Sequence, residues 1–93
     1  MDRRPVIWDA WNRKHLGQDH PERGISLDEI DEVLDDPGRV ETYLEVRDAY
    51  QVIGRTRAGR WLVVVWLDEG RGRYPIHTRA AGRREIREVQ DDD

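Results

Sequence analysis

The stretch Tyr50-Gln-Val-Ile-Gly-Arg-Thr-Arg-Ala-Gly-Arg-Trp-Leu-Val-Val-Val-Trp66 decides the fold. Its middle, Arg57-Ala-Gly59, reads as a three-residue hairpin loop with Gly59 at the left-handed position. Beyond the loop, Arg60 to Leu67 is apolar on both faces. Trp61, Val63 and Val65 point one way, and Leu62, Val64 and Trp66 the other. Such a strand belongs at the centre of a sheet covered on both sides. Before the loop, Tyr50 to Thr56 supplies its antiparallel partner. Working outward, Val40 to Val46 predicts a further strand, joined at Arg47-Asp48-Ala49. Asp68 to Gly72 turns the chain into a last strand, Arg73 to Arg79. Pro75 cannot donate a ladder hydrogen bond, so that strand is expected at an edge or paired on one side there.

Helices flank this meander. Val6 to Trp8 reads as a short first strand or an extended lead-in. Asp9 caps a helix running to about Gln18, with Trp8, Trp11, His15 and Leu16 on one side. Asp19 to Gly24 is a loop. Ser26-Leu-Asp-Glu29 is a capping box, and Ile25 and Ile30 sit where a hydrophobic staple requires them. Leu27, Ile30, Val33 and Leu34 form the stripe to be buried, and Asp35-Asp-Pro-Gly38 ends the helix. A short helix from about Arg83 to Gln90 closes the domain, and the tail Asp91-Asp-Asp93 should fray. The expected fold is α+β: two N-terminal helices, a four-stranded antiparallel meander and a C-terminal helix, in one domain over residues 1–90.

Ninety-three residues leave room for one core. Without Cys there is no disulfide and no thiolate metal site, and three His make a structural zinc site a poor expectation. We expect no metal and no cofactor. The longest apolar run, Trp61 to Leu67, is too short to span a bilayer, and no signal peptide is evident. The expected compartment is the cytoplasm, with no membrane partner.

Charge is unevenly placed. The chain carries −4 overall, yet Ile53 to Arg87 holds nine Arg against Asp68, Glu69 and Glu85. Residues 1–46 hold six basic and twelve acidic groups, and residues 47–93 ten and eight. Arg suits planar, bidentate phosphate recognition. Fifteen of the sixteen basic residues are Arg, so composition bias is the competing explanation.

Cleavage of RNA by its own 2′-hydroxyl needs a base, an acid and cations that hold the charge developing on the phosphorane. Imidazole titrates near neutral pH and guanidinium supplies fixed charge. Simple alternation puts Arg73, Pro75, His77 and Arg79 on one face of the last strand, open to solvent or ligand. His77 with Arg79 is the pair these residues favour. The competing reading is a surface His beside an ion-paired Arg. Arg55 is expected opposite Trp61, stacked on its indole. His15 reads as a core histidine on the first helix, His20 as a loop residue, and Glu85 as the acidic partner of a capping box that begins at Gly82. Arg60, Trp61, Arg73 and Arg83 are the further candidate RNA contacts.

In order and spacing the chain resembles the BrnT family of bacterial ribonuclease toxins, which have a RelE-like fold. The shared pieces are Trp8-Asp9 and Asn12, a His-containing loop, Gly24-Ile-Ser, the acidic helix ending Val33-Leu-Asp-Asp-Pro37, Ile53-Gly-Arg-Thr, Gly59-Arg-Trp-Leu-Val-Val-Val65, Ile76-His-Thr-Arg79 with Ala81, and Glu85. The resemblance implies a metal-independent endoribonuclease toxin that blocks translation. It also implies a cognate antitoxin, a small ribbon-helix-helix DNA-binding protein. Arg55, Arg79 and Glu85 are the active-site candidates that it carries over, with His20 near the family's loop histidine. Against this stand a non-catalytic module of the same fold that binds RNA or protein, and an interaction protein whose acidic helices bind a basic partner.

Overall fold

In a computed structural model, which describes residues 3–91, two helices lead into a four-stranded antiparallel sheet and a third helix closes the chain. This is the expected α+β order. Helix α1 spans Ala10–Gly17 and α2 Leu27–Leu34. The strands are β1 Val40–Leu44, β2 Ala49–Arg55, β3 Trp61–Asp68 and β4 Arg73–Ala80, and α3 is Arg83–Asp91. The sheet order is β1-β2-β3-β4, which puts β4 at an edge. The loop before α2 contains one 3-10 turn, Pro21–Arg23. Asp92 and Asp93, the end of the expected acidic tail, lie outside the described residues.

Each element follows from local chemistry. Ser26 Oγ accepts from Glu29 N at 3.1 Å, and Glu29 Oε1 accepts from Ser26 N at 2.9 Å, so the α2 capping box is closed. Asp9 and Asn12 form a second box on α1. In the hairpin, Thr56 and Arg60 close the loop backbone to backbone, and Gly59 takes φ +90. Gly54 is needed for proximity. A Cβ there would stand 3.1 Å from the Asp36 carboxylate and 3.2 Å from the Val33 carbonyl. The end of α2 can therefore rest on β2, where Asp36 accepts from Arg55 N at 2.8 Å.

The sheet is covered on both faces, as the doubly apolar β3 predicts. Leu16, Ile25, Ile30, Val33 and Leu34 pack with Val52, Leu62, Val64 and Trp66 on the α1/α2 face. Ile53 and Val63 pack with Val89 on the α3 face. Burying a Val, Leu or Ile of this kind stabilises by about 1.5–3 kcal/mol.

Two expectations need correction. Along β4, Trp66 pairs with Pro75 but Val65 pairs with His77, so Ile76 is an extra residue in a bulge. The bulge breaks the alternation. Arg73 and Pro75 turn into the core, whereas His77 and Arg79 lie opposite Val65 and Val63 on the α3 face. Arg73 is consequently 2% exposed and belongs to the core, not to an RNA-facing surface. Its guanidinium donates to the carbonyls of Arg4 (2.8 Å) and Leu34 (2.7 Å) and to the Asp35 carboxylate (2.9 Å). Its backbone holds the lead-in strand, with Arg73 N donating to Pro5 O and Ile7 N donating to Arg73 O. That lead-in is a single parallel bridge, Val6 to Arg73.

The second correction concerns α1. Asn12 and Leu16, four residues apart, take the buried positions. Asn12 donates to the carbonyls of Ile7 and Pro75. Trp11 therefore does not join the core and stands 56% exposed.

Replacing Arg73 by Met removes the donors and keeps the stem, leaving buried carbonyls unsatisfied. The expected loss is on the order of 3 kcal/mol. Urea unfolding of Arg73→Met beside Arg83→Met, on exposed α3, checks this. Equal midpoints for the two variants would refute the anchoring role.

Candidate functional site

The bulge and the start of α3 together build the arrangement around Arg79. Strand β4 carries Arg79 to the point where the chain turns at Ala81-Gly82 into α3. Both terminal guanidinium nitrogens of Arg79 donate to Glu85, at 2.7 and 2.8 Å. Glu85 Oε1 also accepts from Gly82 N at 2.9 Å, so one carboxylate caps α3 and grips Arg79. The Arg79 guanidinium and the Gly82 N–H hold the Glu85 carboxyl down at about 2. The same pairing raises the pKa of Arg79. At neutral pH Glu85 has no proton to give and is a weak base. This geometry matches the capping-box reading of Glu85 and disfavours a proton-transfer role for it.

His77 stands half-buried two residues before Arg79. Burial, then the nearby charges of Arg23, Arg79 and Arg47, lower its pKa, and His15 adds to the effect. A neutral imidazole among guanidiniums can take a proton at neutral pH, and the guanidiniums can hold the negative charge that follows. Arg23 and Arg47 escaped sequence reasoning. Arg23 reaches β4 from the 3-10 turn, donating to the Thr78 carbonyl at 3.1 Å. Only the tertiary fold brings it there, across 55 residues.

The other candidates are dispersed. Arg55 pairs with Trp61 across the hairpin, its guanidinium carbon 5.2 Å from the indole centroid, as expected. It also lines a cleft of about 650 Å³ between α2 and the hairpin, together with Asp28, Asp31, Glu32, Asp35 and Asp36. Carboxylates outnumber guanidiniums there, which disfavours phosphate. Arg60 is turned onto the loop before α2, donating to Gly24 O at 2.7 Å and Arg23 O at 2.9 Å. Arg83 is exposed at the first turn of α3. His20 caps the 3-10 turn 3.2 Å from Glu22, its ring edge-on to His15 at 5.6 Å. His15 stacks on Trp11 and lies 3.5 Å from Asp19 rather than in the core. Among the described residues, no group of three His, Asp or Glu side chains is arranged to hold a metal, and no helix is long and apolar enough to cross a membrane.

The depressed Glu85 carboxyl has a consequence for stability. Its folded pKa of about 2 lies below the ordinary 4.5, so its contribution is fully present above 4.5 and is lost as pH falls toward 2. Acid titration of wild type should show extra loss of stability across that window, absent in Glu85→Gln. Superimposable acid profiles would mean that the pair contributes nothing.

Searched against protein-family models and against curated proteins, the chain matches none.

Proposed function

We propose that this protein is a ribonuclease of the kind implied by its resemblance to BrnT toxins. RNA lies on the α3 face of β4, and cleavage proceeds through the RNA's own 2′-hydroxyl. His77 takes the hydroxyl proton, the 2′-oxygen bonds to phosphorus as the P–O5′ bond breaks, and the departing 5′-oxygen takes a proton from water. Arg79, with Arg23 and Arg47, stabilises the phosphorane, and Glu85 holds Arg79 in place. The supporting observation is the half-buried His77, two residues before Arg79 and next to the Thr78 carbonyl that Arg23 grips, with its pKa lowered by burial and by those charges. No step in this scheme calls for a metal. In keeping with the resemblance, the proposed action is in the cytoplasm, and the proposed partner is a ribbon-helix-helix antitoxin that covers the toxin.

One observation favours a second reading, a non-catalytic RNA-binding module. Both terminal nitrogens of Arg79 are already bound to Glu85. A guanidinium neutralised in this way binds phosphate weakly until the carboxylate is displaced.

The test is cleavage of end-labelled RNA in EDTA, with binding measured in parallel. Wild type is expected to cleave. His77→Gln should bind normally and cleave about 10²- to 10⁴-fold more slowly, the range for loss of a general base. Arg79→Ala should weaken both activities. Binding by wild type without cleavage would favour the second reading, and no binding would refute both.

A further inference from the structure

Four Trp are present, and three have evident work in the fold. Trp8 donates its indole N–H to Asp31 at 3.0 Å. Trp61 lies under Arg55, and Trp66 is buried against Tyr50 with ring centroids 4.4 Å apart. Trp11 is different. It sits in the first turn of α1, 56% exposed, in a row of near-parallel rings. His15 stacks on it at 4.9 Å and 21°, and Tyr74 lies 6.5 Å away at 17°.

The row is held rigidly. Trp11 and His15 are one helical turn apart. The Tyr74 hydroxyl donates to Asp9, the N-cap of α1, at 2.8 and 3.0 Å, which fixes its ring against the helix. The neighbouring carboxylates are already engaged, Asp9 by Tyr74 and the α1 N-terminus, Asp19 by Lys14 at 2.9 Å and by His15. Tyr74 belongs to β4, three residues before His77, and Arg23 reaches the same strand at the Thr78 carbonyl. A rigid, exposed aromatic row thus adjoins the cluster of His77, Arg23 and Arg79.

Unpaired bases present flat π faces that stack on such rings whatever their sequence, while adjacent cations follow the phosphates. We propose that Trp11, backed by His15 and Tyr74, is a stacking site for one unpaired nucleobase of single-stranded RNA. A nucleotide next to the scissile phosphate would rest there, holding the strand across His77. This inference depends on the RNA-binding reading above, and it predicts a preference for single-stranded RNA with no preference among bases.

The test couples the protein ring to the RNA base. Binding of wild type, Trp11→Ala and Trp11→Phe is measured with a short single-stranded RNA and with the same oligomer made abasic along its length. Trp11→Ala should weaken binding of the normal RNA about tenfold, within the range for loss of one base–aromatic stack. Trp11→Phe should recover most of that loss. On the abasic strand the three proteins should bind alike. An equal loss on both strands would assign Trp11 to the fold or the phosphates and overturn the proposal. So would undiminished binding by Trp11→Ala, while the ribonuclease reading stood. Failure of wild type to bind either strand would overturn both.

Discussion

One buried guanidinium joins the parts of this fold that are most distant in sequence. Arg73 is held to the lead-in through the Arg4 carbonyl, to the last turn of α2 through the Leu34 carbonyl, and to Asp35 just beyond it. A cation 2% exposed is tolerable only if it is well paired, and here each of its three nitrogens has an acceptor among two carbonyls and a carboxylate. The constraint propagates. Fixing α2 against β4 presses the Asp36 loop onto Gly54, and fixing the lead-in sets the entry to α1. The N-terminal helices are therefore attached to the sheet at its last strand, beside the residues proposed to act on RNA.

Opposite charges occupy different regions of the protein. Carboxylates of α2 and of the turn that follows it line the cleft beside the β2–β3 hairpin, and two of them accept backbone N–H groups of that hairpin, Glu32 from Arg57 and Asp36 from Arg55. The charges that bear on His77 are instead those of the Arg23, Arg79 and Arg47 guanidiniums. A net charge of −4 therefore says little about the potential that an approaching polyanion meets, because the field depends on placement.

What could be read from the sequence was what neighbours along the chain determine. The α2 capping box, the Gly59 hairpin, the doubly covered β3 and the Arg55–Trp61 pair depend on spacings of a few residues or on one tight turn. Glu85 as a cap partner was legible for the same reason. The bulge at Ile76 was not, because nothing in Pro75-Ile-His marks an extra residue, and one insertion reverses which side chains face inward. Arg73 was misplaced because its acceptors lie 38 to 69 residues away. Trp11 and His15 were misread because a two-turn helix has room to bury only one stripe, and Asn12 took it with Leu16. The convergence of Arg23 and His77 required the whole fold.

The extra residue in β4 divides one strand into two segments whose alternation is out of phase. Before it the odd-numbered Arg73 and Pro75 turn inward; after it the even-numbered Thr78 does. Substitution tolerance measured along β4 should therefore change phase at Ile76. A single-residue deletion there would remove the bulge and leave the flanking pairs as they are, Pro75 against Trp66 and His77 against Val65, so the core and the surface would each keep their residues.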